Sequence, residues 1–159
     1  MKSPTHTDHD LIRNTISSIA IAFDTNTFSA LRASFTEDCE ADYVGSLGLL
    51  TGIDQIINQL QKTIGHVSTF HSLTTQYIWL TGKDTAQATT YCAASHWLDK
   101  KAFFAEARYE DRLVRVVDGE EGEGRWMIRN RVVTMMGVPR GDVSMFGMDL
   151  EEWRDSLKA

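Results

Sequence analysis

Cysteine is scarce in this chain: Cys39 and Cys92 are the two in 159 residues. Two thiols make no disulfide framework, and neither a C-x-x-C pair nor the Cys/His spacing of a zinc site occurs. Reduced thiols in a cytoplasmic compartment are the expectation. Positive charge is also short. The formal net charge is -6 and the lysines and arginines are scattered. That excludes the clustered cations a nucleic-acid backbone demands. No apolar run is long enough to span a membrane, and Met1 to Asp10 lacks the apolar stretch of a secretory signal. Repeats and low-complexity linkers are missing too, so one domain with one core is expected.

What is present divides by period. Leu11, Ile12, Ile16, Ile19, Ala20 and Phe23 recur at helical spacing, with Asp8 or Asp10 as the cap. Thr27 is placed to cap a short second helix carrying Phe28, Leu31 and Phe35. A turn at Thr36 to Asp38 precedes an extended piece, Glu40 to Val44. Thr51 and Asp54 resemble a capping box before a third helix, which buries Ile53, Ile56, Ile57 and Leu60 and stops near Gly65.

Beyond Gly65 the period becomes two. Strands are expected over Phe70 to Leu80, Thr85 to Trp97, Ala102 to Val117 and Arg125 to Met136, with an acidic, glycine-rich loop at Asp118 to Gly124. Three helices followed by four long neighbouring strands predict an α+β domain, a curved, mostly antiparallel sheet wrapped against the helices. The domain is assigned to residues 1–137. The tail, 138–159, belongs to it, with a short helix presenting Leu150, Trp153 and Leu157.

Alternation sorts the side chains. Ala86, Ala88, Thr90, Cys92, Ala94 and His96 share one face, small until the histidine. That pattern suits a ligand's space or the close approach of a helix. His71, Leu73, Thr75 and Tyr77 form a second set, and Ala105, Ala107, Tyr109, Asp111 and Leu113 a third. Glu106, Arg108, Glu110 and Arg112 mark the solvated side, so Tyr109 and Asp111 are expected on the covered one. A covered aspartate needs a partner or a task, and Arg129 and Arg131 are both candidates for an ion pair. The inward face of Arg125 to Met136 stays open between its two parities.

An ordered set of segments carries a resemblance: Ala22-Phe23-Asp24, the run LRASFTEDCEADY from Leu31 to Tyr43, Thr69-Phe70-His71, TYCAASHW from Thr90 to Trp97, and RYEDRLVR from Arg108 to Arg115. Together they resemble the SnoaL-like branch of the nuclear transport factor 2-like superfamily, close to scytalone dehydratase-type domains, over about residues 8 to 137. The resemblance implies a cone-shaped half-barrel, a homodimer or other small homo-oligomer, and no metal or organic cofactor. It also implies dehydratase, isomerase or cyclase chemistry on polyketide or terpenoid intermediates of specialised metabolism. Carried over residue by residue, it makes Asp24, Tyr43 and His71 pocket residues. Phe23 stands where those dehydratases have tyrosine, and Cys92 where they have a second histidine. Both departures point toward a different substrate or an isomerisation.

Proton removal beside a carbonyl needs a base that is neutral near pH 7 and a donor for the developing enolate. His71 fits the base and Asp24 its orienting carboxylate. Tyr43 or Tyr109 fits the donor, and Asp111 or His96 the group that protonates a leaving hydroxyl. The catalytic set is Asp24, His71, Tyr43 and Asp111. The substrate-binding set is Tyr109, His96, Cys92, Phe23, Trp97 and Asn130. Each has a plainer reading. A strand histidine can be structural, Asp24 can close a local turn, the tyrosines can be core aromatics, and Cys92 a small hydrophobe. A small-molecule enzyme is therefore set against a non-catalytic binding or dimerisation module, and against an epoxide-opening hydrolase or cyclase. An enzyme should converge Asp24, His71 and a tyrosine on one cavity.

Overall fold

The computed structural model describes residues 6–44, 47–117 and 124–147, together with 151 and 155. Leu150, Trp153 and Leu157 of the expected tail helix, and residues 118–123 of the acidic loop expected at Asp118 to Gly124, lie outside the described residues.

Helix α1 spans Asp8–Asp24 and buries Ile12, Ile16, Ile19, Ala20, Ala22 and Phe23. Its cap is Thr7 rather than Asp8 or Asp10. Thr7 accepts from the Asp10 backbone, and the Asp10 side chain accepts from the Thr7 backbone N–H. Asp8 is thereby freed to receive the Trp126 indole at 3.1 Å and to pair with Arg115, anchoring the helix start to the sheet. A 3-10 helix, Phe28–Ala33, follows, and Thr27 makes no side-chain cap. Helix α2, Ile53–Ile64, buries Ile53, Ile56, Ile57 and Leu60 as the period required. Its cap is Gly52 at φ 80°, not the expected Thr51–Asp54 box. Thr51 is in a strand instead, its backbone N–H donating to Gln55 at 2.7 Å.

The strands are β1 (Phe35–Tyr43), β2 (Gly48–Thr51), β3 (Ser68–Leu80), β4 (Thr85–Leu98), β5 (Lys101–Val116), β6 (Arg125–Met135) and β7 (Arg140–Gly141). They form one sheet in the order β2-β1-β6-β5-β4-β3, with β7 on β5. Every pairing is antiparallel except β1 with β6, which is parallel. The curved, unclosed sheet and the helices make an α+β cone. The turn expected at Thr36 to Asp38 is instead part of β1, where the register with β6 shifts between Phe35 and Glu40.

Two bulges govern the site. Leu73 faces Cys92 while Gln76 faces Thr90, so β3 carries one extra residue there. Alternation reverses beyond it. Thr75 and Tyr77 turn outward and Ile78 turns into the core, correcting the expected His71–Tyr77 face. On β6, Arg112 faces Asn130 and Leu113 faces Ile128, leaving Arg129 extra. The inward set is accordingly Trp126 and Ile128 before the bulge, then Arg131 and Val133 after it. β4 and β5 run unbroken, and their inward sets match the alternation throughout.

Candidate active site

At the open end of the cone the inner sheet face leaves a cavity of about 140 Å³. Its walls include Phe23 from α1, Tyr43 from β1, His71 from β3, Ala94 and His96 from β4, and Tyr109 from β5. Leu60, Thr63 and Ile64 of α2 close one side, and Val133, Met135 and Phe146 another. The small residues of β4 and β5 therefore do two things. Ala86 and Ala88 pack with the helix core, while Ala94, Ala105 and Ala107 make room at the mouth.

Asp24 ends α1, where the helix dipole disfavours a carboxylate. Three hydrogen bonds from β3 hold it. Thr69 Oγ1 donates at 2.9 Å, the His71 backbone N–H at 2.9 Å, and the ring Nδ1 of His71 reaches Oδ1 at 2.7 Å. The carboxylate thus serves the sheet and not a local turn. An ionised carboxylate only accepts, so Nδ1 carries the proton and Nε2 is the lone-pair nitrogen. Burial holds the His71 pKa below the ordinary imidazole value, while the hydrogen bond and charge of Asp24 oppose that fall. The ring is neutral and basic at neutral pH, with Phe23 packed on it at 5.2 Å. Phe23 thus supports the base by packing against it, where a tyrosine would have brought a hydroxyl.

The tyrosines are donors. Burial pushes Tyr43 up to about 12, with Arg131 pulling the other way. Burial also raises Tyr109 well above the usual phenol value. Both keep their protons. The Arg131 guanidinium lies 4.7 Å from the Tyr109 ring centre. It is held by Asp111 through a bidentate pair at 2.7 and 2.8 Å. Burial opposes the charge on Arg131, and Asp111 more than offsets it, so its pKa is raised.

That pairing corrects one assignment: Asp111 is fully engaged beneath the tyrosines and is not presented to the cavity. Three more assignments fall outside it. Trp97 is on the outer face, 41% exposed against Phe104. Asn130, turned outward by the β6 bulge, donates to Glu40 at 2.9 Å. Cys92 is buried behind Tyr109, which hydrogen-bonds to it, and burial raises its thiol pKa. His96 does reach the cavity, its ring 5.7 Å from that of His71. Burial first, then the neighbouring His71, push its pKa down to about 4.

Phe103, which shares the parity of Ala105, also lines the cavity, and of Arg129 and Arg131 it is Arg131 that pairs with Asp111. Phe146 comes from a 3-10 turn, Val143–Phe146, too short to show a period. Its place against the cavity is secured by His66 Nε2 at 2.8 Å from the Met145 carbonyl oxygen. Among the described residues no three His, Cys, Asp or Glu side chains cluster as a metal site would need.

A family model described as a SnoaL-like domain matches residues 4–132. No curated protein matches the sequence. Among solved structures, a proposed scytalone dehydratase from Novosphingobium aromaticivorans is similar with a TM-score of 0.72 and 23% identity, over 84% of this chain and 86% of that one. ActVI-ORFA from Streptomyces coelicolor gives 0.65 and 23%, over 82% and 98%. A type 2 LinA hexachlorocyclohexane dehydrochlorinase gives 0.72 and 15%, over 83% and 88%. At these identities the likeness is one of fold. No helix of the described residues is long and apolar enough to cross a membrane.

Proposed function

The chain belongs to the SnoaL-like domain family, and from that premise we propose that it is a cofactor-free lyase or isomerase working by general acid–base catalysis. One observation carries the reading: a carboxylate fixes His71 in one tautomer inside a cavity that two protonated tyrosines also line. His71 Nε2 takes a proton from a carbon next to a carbonyl, and the electron pair moves onto the carbonyl oxygen. Tyr43 or Tyr109 donates a hydrogen bond to that oxygen. The imidazolium formed is stabilised by Asp24. It then returns the proton to a departing β-hydroxyl, releasing water, or to another carbon, completing an isomerisation.

The substrate is an aromatic or polycyclic intermediate of polyketide or terpenoid type, in keeping with the apolar walls and few polar groups. Specialised metabolism, a cytoplasmic site and assembly as a homodimer belong to the same proposal. The aromatics Phe70 and Trp97 on the outer sheet face support the assembly. They lie on the opposite side of the sheet from the cavity, so an assembly surface and a catalytic site are compatible.

The test has two readouts. Imidazole ¹⁵N NMR should find His71 in the Nδ1–H tautomer, with a titration that moves when Asp24 is changed to asparagine. Compact aromatic ketones and β-hydroxyketones incubated in D₂O should then gain deuterium beside the carbonyl or lose water, and His71→Gln should abolish both. A His71 that titrates like a free imidazole and ignores Asp24 sinks the proposal.

A further inference from the structure

The acid–base reading leaves one buried pair of charges without a task. Among the described residues Asp111 and Arg131 are the only Asp, Glu, Lys or Arg side chains that are buried. They stand opposite each other on β5 and β6, and Ala41 of β1 and Ala88 of β4 complete their row. The next row toward the cavity, across the same four strands, is Tyr43, Val133, Tyr109 and Thr90. Tyr43, Val133 and Tyr109 line the cavity, while Ala41 and Ala88 belong to the core packed on the helices. The ion pair therefore lies directly beneath the two tyrosines.

Stability does not call for it. A buried ion pair recovers little beyond the cost of taking both charges from water, and apolar side chains of the same volume serve a core as well. What apolar side chains cannot supply is a directed charge. The guanidinium is fixed by its bidentate hold on Asp111, at 2.7 and 2.8 Å. It lies over the Tyr109 ring at 4.7 Å and over the Phe35 ring at 5.5 Å. A cation over a phenol ring draws on its electron density and makes its hydroxyl a stronger donor. Burial raises the pKa of both tyrosines, Arg131 lowers both, and on Tyr43 it outweighs the opposing Asp111. The positive end of the pair is the end the phenols feel.

We propose that Arg131 is a positioning residue of the reaction: anchored by Asp111, it holds a positive charge beneath Tyr43 and Tyr109 that strengthens both as donors to an oxyanion in the cavity. The proposal rests on the acid–base reading and supplies what that reading left open, how an apolar cavity accommodates the charge of an enolate. No proton moves along this route. The proton passes from carbon to His71 as before, and both tyrosines keep theirs. Arg131 acts by its field, in a place where water does not screen it. The substrate is thereby oriented. The oxygen that gains charge lies over the tyrosines, and the carbon that loses its proton faces His71.

Para-nitrophenol is the probe, because its phenolate resembles an enolate and absorbs apart from the neutral phenol. The bound phenolate-to-phenol ratio at one pH is read from absorbance for the unaltered protein, for the double variant Asp111→Leu/Arg131→Met, and for Asp111→Asn. The double variant removes the cation and its partner together, and its ratio should fall by about tenfold. Asp111→Asn keeps the shape of the anchor and deletes the opposing negative charge, so its ratio should rise. Loosened packing does not produce opposite shifts. A double variant without the fall, or Asp111→Asn without the rise, overturns the proposal, and either decides alone where the other does not fold. A native protein that binds only the neutral phenol, or no phenol, overturns it too. Deuterium exchange separates the two readings. Both ionisation shifts without any exchange count against the acid–base reading alone. Exchange that runs undiminished in the folded double variant counts against the role of Arg131 alone.

Discussion

Asp24 Oδ1 and His71 Nδ1 stand 2.7 Å apart although 47 residues separate them in sequence. The contact joins the last residue of α1 to the fourth residue of β3. The same carboxylate accepts from the His71 backbone and from Thr69, so ring and strand are positioned together.

Asp24→Asn removes the charge that supports the imidazolium and the acceptor that sets the tautomer. Asp24 is what raises the His71 pKa against burial, so the variant's His71 should titrate lower still. Turnover should fall by about 10²–10⁴, with ligand binding nearly unchanged. NMR titration and steady-state rates on one substrate check both parts.

Acid should destabilise the fold through its imidazoles. His71 and His96 have folded pKa values below the ordinary 6.5, and that of His96 lies at about 4. Their contribution is complete above the unfolded value and is lost as pH falls from 6.5 toward 4, because the unfolded chain binds protons first. For His96 the loss is roughly 3 kcal/mol. Urea midpoints between pH 8 and 4 should show it, and His96→Phe should flatten that part of the curve.

Removing one member of the buried ion pair should be worse than removing both. Arg131→Met leaves the Asp111 carboxylate enclosed without a counter-charge, at a cost of about 3–5 kcal/mol. Adding Asp111→Leu should recover most of it. Equilibrium unfolding of the single and double variants decides the point.

Neither thiol should behave as a nucleophile. Burial pushes Cys39 up to about 11 and raises Cys92 as well. Iodoacetamide at pH 8 should label neither in the native protein and both in urea, as intact-mass measurement would show.

The β3 bulge makes neighbouring residues unequal in a way strict alternation would invert. Tyr77 is 67% exposed and Ile78 is 8% exposed. Ile78→Ala should therefore cost about 2–5 kcal/mol, while Tyr77→Ala should stay within about 0.5 kcal/mol. Thermal or urea melts separate the two.

Legibility followed the regularity of each element. β4 and β5 are unbroken, so parity alone placed Ala94, His96, Tyr109 and Asp111 on the inner face. Parity cannot see the extra residue in β3 or β6, so it keeps Tyr77 on the face of His71 and leaves the inward side of Arg125 to Met136 open. The burial of Asp111 was readable, but its being spent on Arg131 needed three dimensions. β2 has four residues and the turn bearing Phe146 also has four, too few for any period to appear. Thr7 is hidden as a cap in the sequence by Asp8 and Asp10, both strong cap formers within three residues of it.

The bulges also break the sheet into two phases. Between Leu73 and Gln76, and again at Arg129, a strand loses its memory of which parity faces in. Side chains at the cavity end and at the helix-packed end of β3 and β6 therefore answer to separate frames. Deleting one residue at either bulge would rotate one end of the strand by half a turn and leave the other undisturbed. An alignment that runs a single gapless frame through these strands will mismatch one end of each, and the pocket is at one of those ends.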